Sequence, residues 1–337
     1  MKRIGFLSFG HWSPAPGSEV RSASDALLQT IELAQAAEEV GVDGAYVRVH
    51  HFAPQLASPF PLLAAIGART SRIEIGTAVI DMRYENPLYA AESAAAADLI
   101  AGGRLQLGIS RGSPETAENG YESFGFVPEA DETDADMARK HTELFRAAIA
   151  GAGLVYSNQQ MTGQHVPLPI EPRSDTLPDR IWWGAGSRAT AIWAAEQGMN
   201  LMSSTLLTED TGVPLSDLQA EQLLLYRDAW KQAGHDREPR VSVSRSILPI
   251  IDDETRHYFG LRAQADAEDQ VGYIGGDLAR FGRSYIGEPD VIARELAQDA
   301  AVLAADTVLV TVPNQLGVDF NARILESIVR DIAPGLG

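Results

Sequence analysis

Residues Gly102–Ser113 read Gly-Gly-Arg-Leu-Gln-Leu-Gly-Ile-Ser-Arg-Gly-Ser, and this stretch decides the fold of the chain. Leu105, Leu107 and Ile109 alternate with other residues as in a β-strand, and the run ends on Arg111 between two small residues. In a parallel α/β fold, ligands bind beyond the carboxyl ends of the strands. Arg111 is therefore a candidate for binding a phosphate, and a surface salt bridge is the alternative.

The same unit of a strand followed by a helix repeats on both sides of this stretch. With Gly102–Ser113 as the fourth, the other predicted strands are Arg3–Phe9, Gly44–Val49, Ile73–Ile80, Arg180–Trp183, Asn200–Ser203, Arg240–Ile250 and Thr307–Val312. The predicted helices are Ala23–Val40, Ser58–Thr70, Leu88–Ile100, Asp136–Ala150, Arg188–Gln197, Asp217–Ala233, Asp290–Leu303 and Phe320–Ile332. Eight strands, each followed by a helix, predict an α/β fold of the (β/α)8 TIM barrel type, with residues 1–337 as a single domain.

Two loop insertions interrupt this alternation, one after strand 4 and one after strand 7. The first follows Arg111, and beyond the fourth helix a small hairpin is predicted to pair Leu154–Tyr156 with Gln160–Thr162. The second, Asp252–Ser284, contains a predicted helix over Thr255–Asp269. Long insertions at the carboxyl ends of barrel strands are typical of lids over a binding site.

The composition restricts the class of protein. The 27 basic and 46 acidic residues give a formal charge of -19, which repels nucleic acid and anionic membrane surfaces. The chain has no cysteine, so disulfides and thiolate chemistry are excluded. Residues 1–6 enter a strand at once and no apolar run reaches membrane-spanning length. We therefore expect a cytoplasmic protein without nucleic-acid or membrane partners.

A turn of small residues follows the fifth predicted strand. Gly184–Ala189 matches the G-x-G-x-x-A dinucleotide fingerprint, but four βα units precede it, whereas a Rossmann domain begins with it. Small residues nevertheless let backbone N–H groups approach a phosphate at a helix start, and the hydroxyls of Ser187 and Thr190 add donors. The alternative is that Ser187 only caps the helix.

Two adjacent histidines, His50 and His51, follow the second predicted strand. Adjacent side chains on an extended chain point to opposite sides, and no nearby cluster of Asp, Glu or His completes a coordination shell, so no metal site is predicted. A histidine that faces a pocket at a strand end acts as a general base or stabilises an anion, because imidazole titrates near neutral pH. A hydrogen-bonded structural histidine is the alternative for either one.

Several segments, taken in order, resemble the bacterial luciferase-like flavin-dependent monooxygenases over nearly the whole chain. They are Val47–Phe52, Ile75–Ile80, Gly103–Gly112 and Gly184–Thr190. The order and spacing of these segments together are specific, although each one alone is not. The resemblance implies a (β/α)8 barrel with an FMN site at its carboxyl face.

The resemblance also implies roles for particular residues. His50 falls where the family keeps a catalytic histidine, which assists the formation or use of the flavin C4a-peroxide. Ala78 and Val79 fall at the family's non-proline cis peptide under the isoalloxazine ring. The remaining cofactor-binding positions are Ser110 beside the flavin, and Arg111, Gly186, Ser187 and Thr190 around its phosphate.

Two residues depart from the luciferases proper. Val49 stands where they carry a glutamate, and Ser110 stands where they carry a reactive cysteine. Both departures argue against light emission from a long-chain aldehyde. Related subfamilies on this scaffold hydroxylate, carry out Baeyer-Villiger oxidation, remove sulfonate or transfer hydride with a deazaflavin, and the fold does not separate them.

The leading interpretation is an FMN-dependent monooxygenase that receives reduced FMN from a separate NAD(P)H:flavin reductase. It would use O2 on a small organic substrate. A deazaflavin (F420)-dependent oxidoreductase is the second hypothesis, and a non-catalytic flavin-binding barrel is the third. The resemblance also implies a homodimer.

Overall fold

The structure, a computed structural model, describes residues 2–112, 115–207, 212–263, 266–274 and 277–337, with only the backbone described for 271–274 and 277–279. Ser113, the last residue of the predicted fourth strand, lies outside these residues. The central strands are β1 (Arg3–Ser8), β2 (Gly44–Val47), β3 (Glu74–Asp81), β4 (Leu105–Ser110), β5 (Ile181–Ala185), β6 (Asn200–Ser203), β7 (Val241–Pro249) and β8 (Thr307–Thr311). Every predicted strand is therefore present.

Parallel hydrogen bonding closes these strands into a ring. β1 pairs with β8 on one side and with β2 on the other, and the pairing continues in order through β6. Leu201 opposite Val241 and Met202 opposite Ser242 join β6 to β7, which also pairs with β8. The result is a closed (β/α)8 barrel, which confirms the predicted fold class.

A helix lies between each barrel strand and the next, and a last one follows β8. These helices are α1 (Ala23–Glu39), α2 (Pro59–Arg69), α3 (Pro87–Ile100), α4 (Asp134–Ile149), α5 (Arg188–Glu196), α6 (Leu215–Ala233), α7 (Pro289–Leu296) and α8 (Val318–Ser327). Local capping sets where they begin. At α1, for example, the Ser22 hydroxyl accepts from the N–H of Asp25, and the Asp25 carboxylate accepts from the N–H of Ser22.

Shorter elements occupy the connections. The short helical segments are Gly120–Phe124, Gln159–Thr162, Leu177–Arg180, Asp253–Phe259, Ala300–Ala304, Asn314–Leu316, Ile328–Ile332 and Ala333–Leu336. The short strands are Val155–Tyr156, Pro167–Leu168, Leu206–Leu207, Gln270–Ile274, Asp277–Phe281 and Ser284–Gly287. Across the described ranges, no helix is both long enough and apolar enough for a membrane crossing.

The small hairpin has a different second strand from the one predicted. Val155–Tyr156 pairs antiparallel with Pro167–Leu168, whereas the predicted partner Gln160–Thr162 lies in a single helical turn. The side chain of Asn158 explains the difference, because it caps this turn by accepting from the N–H of Gln160.

The helix predicted over Thr255–Asp269 is shorter than expected. It spans Asp253–Phe259 and ends at Gly260, a residue that disfavours helix continuation. An antiparallel pair of strands, Gln270–Ile274 and Asp277–Phe281, follows it within the insertion.

The helix predicted over Asp290–Leu303 is two helices. The first, α7, ends at Leu296. Asp299 begins the second, because its carboxylate accepts from the N–H groups of Ala301 and Val302. A polar cap in the middle of an apolar pattern thus divides the segment.

Side chains fill the barrel and close its amino-terminal end. The Tyr46 ring occupies space left by glycines, because a Cβ on Gly44 or Gly76 would lie 2.5 or 2.9 Å from it. At the starts of β3 and β7, Glu74 and Arg240 form an ion pair of 2.9 Å. The carboxyl ends of the strands are therefore the side from which a ligand enters.

Candidate functional site

Four neighbouring strands carry the predicted site residues to one end of the barrel. His50 follows β2, Ala78 and Val79 lie near the end of β3, Arg111 follows β4 and Ser187 follows β5. β2 pairs with β3, β3 with β4 and β4 with β5, all in parallel, so these strand ends lie side by side. The predicted residues thus share one half of the barrel rim.

Both ring nitrogens of His50 have partners. Nδ1 lies 2.8 Å from Oε2 of Glu115, whose side chain is 4% exposed. Nε2 accepts a hydrogen bond of 3.1 Å from Nε of Arg48, and the ring of Phe9 stacks on the imidazole with centroids 6.3 Å apart. Glu115 belongs to the insertion after β4, and sequence reasoning missed it because no periodicity or motif marks that loop.

His51 faces a different environment, as alternation along an extended chain predicts. Its ring stacks on Tyr84 with centroids 4.2 Å apart and packs edge-on against Phe124. Burial lowers its pKa, and among the described residues its Nε2 has no hydrogen-bond partner. Throughout the residues that the structure describes, no three His, Asp or Glu side chains come together in a way that could hold a metal ion.

The peptide bond between Ala78 and Val79 is cis, as the resemblance implies. The Val79 side chain lies against positions where two glycines leave space. A Cβ on Gly108 would lie 3.0 Å from Cγ1 of Val79, and a Cβ on Gly184 would lie 3.1 Å from it. These glycines belong to β4 and β5, so a larger residue at either position would push against Val79.

Ser110 and Arg111 are adjacent but differ in exposure. Ser110 is 8% exposed, and its hydroxyl accepts a hydrogen bond of 3.2 Å from the N–H of Gly112. Arg111 is exposed, and no carboxylate of the described residues pairs with it. A second guanidinium, that of Arg83, packs against Gly112 and is paired with Asp81 at 2.6 Å. Arg111 is therefore open to an external anion, whereas Arg83 is neutralised within the protein.

Ser187 caps α5. Its hydroxyl accepts from the N–H of Thr190 at 3.3 Å and lies 3.0 Å from the Thr190 hydroxyl. At Gly186, just before the cap, an added Cβ would lie 3.9 Å from the carbonyl oxygen of Leu206. The cap that was the alternative interpretation is therefore present. It is also compatible with an anion at the helix start, where the dipole favours negative charge.

A buried chain of hydrogen bonds reaches the turn at Ser187 through Gln222, whose side-chain amide donates to the carbonyl oxygen of Ser187. The Ser203 hydroxyl donates to Oε1 of Gln222 at 2.6 Å and accepts from Nε2 of Gln219 at 3.0 Å. Arg245 donates to Oε1 of Gln219 at 2.8 Å and forms an ion pair with Asp299 at 2.7 Å. Except for Ser187, sequence reasoning missed all of these residues, since polar side chains on helices and on the outward faces of strands read as surface positions.

A cavity of about 690 Å³ lies away from the predicted residues. Its lining includes Arg245, Arg283, Tyr285 and Asp299, which belong to β7 and to the segments that follow it. None of the predicted site residues lines it. Ion pairs between Arg245 and Asp299 and between Arg283 and Glu295 neutralise charges in its wall.

Curated relatives match the chain over part of their length. The chain is 30% identical over 201 residues to the uncharacterized protein y4wF of Sinorhizobium fredii, a match covering 59% of this chain and 56% of that protein. It is 26% identical over 220 residues to the alkanal monooxygenase alpha chain of the Kryptophanaron alfredi symbiont, covering 63% of this chain and 56% of that protein. The chain thus spans less than two thirds of these relatives' length.

Solved structures match the fold over nearly the whole chain. Monooxygenase RslO1 from Streptomyces bottropensis has a TM-score of 0.76 at 22% identity, covering 99% of this chain and 100% of that chain. The oxygenating constituent of 3,6-diketocamphane monooxygenase from Pseudomonas putida, a type II Baeyer-Villiger monooxygenase in complex with FMN, has a TM-score of 0.70 at 17% identity, covering 99% of each. The coenzyme F420 dependent tetrahydromethanopterin reductase from Methanopyrus kandleri has a TM-score of 0.68 at 15% identity, covering 100% of this chain and 99% of that chain. At these low sequence identities, the structural similarity establishes a shared fold and no more.

The model of one protein family, described as luciferase-like monooxygenase, matches residues 1–277. The matched range includes every predicted site residue from His50 to Thr190. A match of this extent shows that the chain belongs to the luciferase-like monooxygenase family.

Proposed function

We propose that this chain is an FMN-dependent monooxygenase that receives reduced FMN from a separate NAD(P)H:flavin reductase and uses O2 on a small organic substrate. Membership of the luciferase-like family supports a flavin-dependent monooxygenase or oxidoreductase. The observation that carries the choice of FMN is the exposed guanidinium of Arg111 at the end of β4. β4 pairs with β5, and β5 leads into the Ser187-capped start of α5. A guanidinium beside a helix N-terminus matches a phosphate monoester in charge and in hydrogen-bond donors.

Small residues at the rim fit a flat ring system at the mouth of the barrel. Gly108 and Gly184 leave space around Val79, and an added Cβ on Gly184 would lie 3.5 Å from the Cβ of Ser110. In this proposal Ala78, Val79 and Ser110 hold the isoalloxazine ring. The phosphate binds Arg111 and the turn formed by Gly186, Ser187 and Thr190.

Reduced FMN, when bound, supplies the electrons with which O2 is activated. The residues of this chain bind it, orient it and move protons beside it. The imidazole of His50 is the proton-transfer group in the proposal, because it lies at the same rim and an imidazole can both accept and donate a proton. Apolar side chains at the mouth, including Phe9, Val79 and Met202, limit access of water to the reaction.

An F420-dependent oxidoreductase is the second candidate, because the reductase from Methanopyrus kandleri shares the fold. Titration with each cofactor separates the two. We expect reduced FMN to bind and F420 to bind poorly, because the formal charge of -19 opposes the polyglutamate tail of F420. Tight F420 binding with hydride transfer in the absence of O2 would reverse the assignment.

Oxygen uptake completes this test. With reduced FMN supplied by a reductase, we expect substrate-dependent O2 consumption and an oxygenated product. FMN binding without oxygenation of any carbonyl compound or hydrocarbon would instead support a non-catalytic flavin-binding barrel.

We further propose a homodimer. Leu99 and Ile100, at the end of α3, are 52% and 54% exposed, and such apolar positions are typical of contact surfaces. Light scattering in solution should give twice the mass of one chain, and the mass of one chain would contradict the proposal.

A further inference from the structure

We propose that Glu115 is a positioning residue for His50. Its carboxylate holds the imidazole in the tautomer that carries its proton on Nδ1, so that Nε2 is the atom that accepts a proton from the substrate. The inference rests on the proposed oxygenase function, in which His50 transfers protons. It gives the insertion after β4 a part in proton transfer, beyond any role as a lid.

The position and burial of Glu115 support this role. Oε2 of Glu115 lies 2.8 Å from Nδ1 of His50, and the two side chains are 4% and 16% exposed. A carboxylate removed from water needs a hydrogen-bond donor, because an unpaired buried charge is strongly unfavourable. The Nδ1–H group of His50 is that donor. The two residues are 65 positions apart in the sequence, so folding alone brings them together.

Arg48, on the other side of the ring, favours the same tautomer as Glu115. Nε of Arg48 donates a hydrogen bond of 3.1 Å to Nε2 of His50. A guanidinium has donors and no acceptor, so Nε2 must be unprotonated and the proton of the neutral ring must be on Nδ1. His50 in this arrangement is a neutral imidazole between a cation and a carboxylate.

Other titratable groups near this pair are His11, His51, Asp81 and Tyr84. Burial is the main cause that lowers the pKa of both histidines, which favours their uncharged forms. Asp81 is paired with Arg83 at 2.6 Å. Among the described residues, the charged groups that hydrogen-bond to the His50 ring are therefore those of Arg48 and Glu115.

This arrangement defines one proton-transfer step. When an O–H group of the substrate takes the place of Arg48 at Nε2, its proton passes to Nε2 and the O–H electron pair stays on the oxygen. The imidazolium that forms keeps its Nδ1–H hydrogen bond to Glu115, and the negative carboxylate stabilises the new positive charge. Return of the proton from Nε2 restores the neutral ring.

The tautomer can be observed in the ligand-free protein by nitrogen-15 NMR of the imidazole, with H50Q used to identify the His50 signals. At a pH at which the ring is neutral, we expect a protonated Nδ1 and an unprotonated Nε2 in the wild type. E115Q should keep this pattern because an amide oxygen still accepts from Nδ1–H. E115A leaves Nδ1 without an acceptor, so we expect a larger population of the Nε2–H form, in rings that have lost the hydrogen bond from Arg48. A wild-type ring protonated on Nε2 would overturn the proposal.

Kinetics separate positioning from a purely structural role. With reduced FMN supplied, we expect E115Q to lower kcat about tenfold or more, because the imidazolium loses its stabilising carboxylate. The acidic limb of the pH profile should move to lower pH, because E115Q removes the negative charge that stabilises the imidazolium form of His50. FMN affinity should stay within about twofold, since within the described ranges the Glu115 side chain pairs with His50 and has no hydrogen bond to Arg111, Ser187 or Thr190.

The exposed Glu118, in the same insertion, provides the matched control. E118Q should leave the tautomer, kcat and the pH profile unchanged. If E115A does not fold, E115Q still decides the question. An E115Q enzyme with wild-type kcat and pH profile would remove the role of Glu115 while leaving the proposed function intact. If the protein shows the expected tautomer but oxygenates no substrate, the proposed function would be wrong and the hydrogen bond between Glu115 and His50 would stand.

Discussion

The side-chain amide of Gln222 donates a hydrogen bond of 2.9 Å to the carbonyl oxygen of Ser187. The same nitrogen lies 3.3 Å from the carbonyl oxygen of Ala185, and Gln222 is fully buried on α6. A side chain of the neighbouring helix therefore holds the turn that precedes α5. This is the turn at which we propose that the phosphate binds.

We expect Q222M to loosen this turn. Methionine is similar in length but has no N–H group, so buried polar groups would lose a partner, at a cost of about 2 kcal/mol in the free energy of unfolding. FMN affinity should fall more than riboflavin affinity, because only FMN carries the phosphate. Denaturant unfolding and titration with both ligands provide the measurements.

Gln197, at the other end of α5, provides the matched control. Q197M should leave the difference between FMN and riboflavin unchanged. An equal loss of affinity for both ligands in Q222M would contradict a specific effect on the phosphate turn.

Replacing Arg111 tests the phosphate contact directly. We expect R111A to weaken FMN binding by about 10- to 100-fold, the range for a lost charge-assisted hydrogen bond. Riboflavin binding should not change. The control is R69A, which removes an exposed guanidinium in the last turn of α2. If R111A binds FMN as tightly as the wild type, Arg111 is a surface residue and the phosphate lies elsewhere.

Removing the imidazole of His50 tests proton transfer. With reduced FMN supplied, we expect H50A to lower the rate of product formation by about 10²- to 10⁴-fold, the range for general acid-base catalysis. FMN binding should be retained. H165A, which removes an exposed histidine far along the chain, should have wild-type activity. Unchanged oxygenation by H50A would show that the assigned role is wrong.

Glu85, in the loop after β3, should make stability depend on pH. Burial raises its pKa from 4.5 to about 7, and the negative charge of Asp81 adds to the shift. The folded protein therefore holds this proton more tightly than the unfolded chain does. The free energy of unfolding should fall as the pH rises through the interval between these two values.

E85Q removes this titration. At about pH 8 we expect the variant to be more stable than the wild type by up to about 3 kcal/mol, and the difference should vanish below about pH 4. Urea unfolding across this range measures it, and E196Q, at an exposed carboxylate on α5, is the control. A stability difference that does not change with pH would show that Glu85 titrates normally.

Local patterns in the sequence were sufficient to predict the barrel. The alternation of Leu105, Leu107 and Ile109 predicted a strand, and β4 is buried along its whole length. A helix was predicted over Arg188–Gln197, with a Ser187 cap as one of two interpretations of the turn before it, and the Ser187 hydroxyl caps α5. Side-chain alternation and caps arise from residues a few positions apart, so one sequence contains the information.

Patterns of this kind failed where a single polar residue changed the local structure. Asn158 caps a helical turn within the expected hairpin, and Asp299 begins a new helix within an apolar run. Each cap is also a local sequence signal. The residues after Asn158 were nevertheless predicted to form a strand, and the apolar pattern around Asp299 predicted one continuous helix.

The sequence by itself thus determined the order of strands and helices and the end of the barrel to which His50, Arg111 and Ser187 belong. Only the tertiary structure decided which distant side chains meet there. Glu115 reaches His50 across 65 positions, and Gln222 reaches Ser187 across 35. Such contacts depend on how a loop and a helix pack around the closed barrel, and neither periodicity nor a motif records that packing.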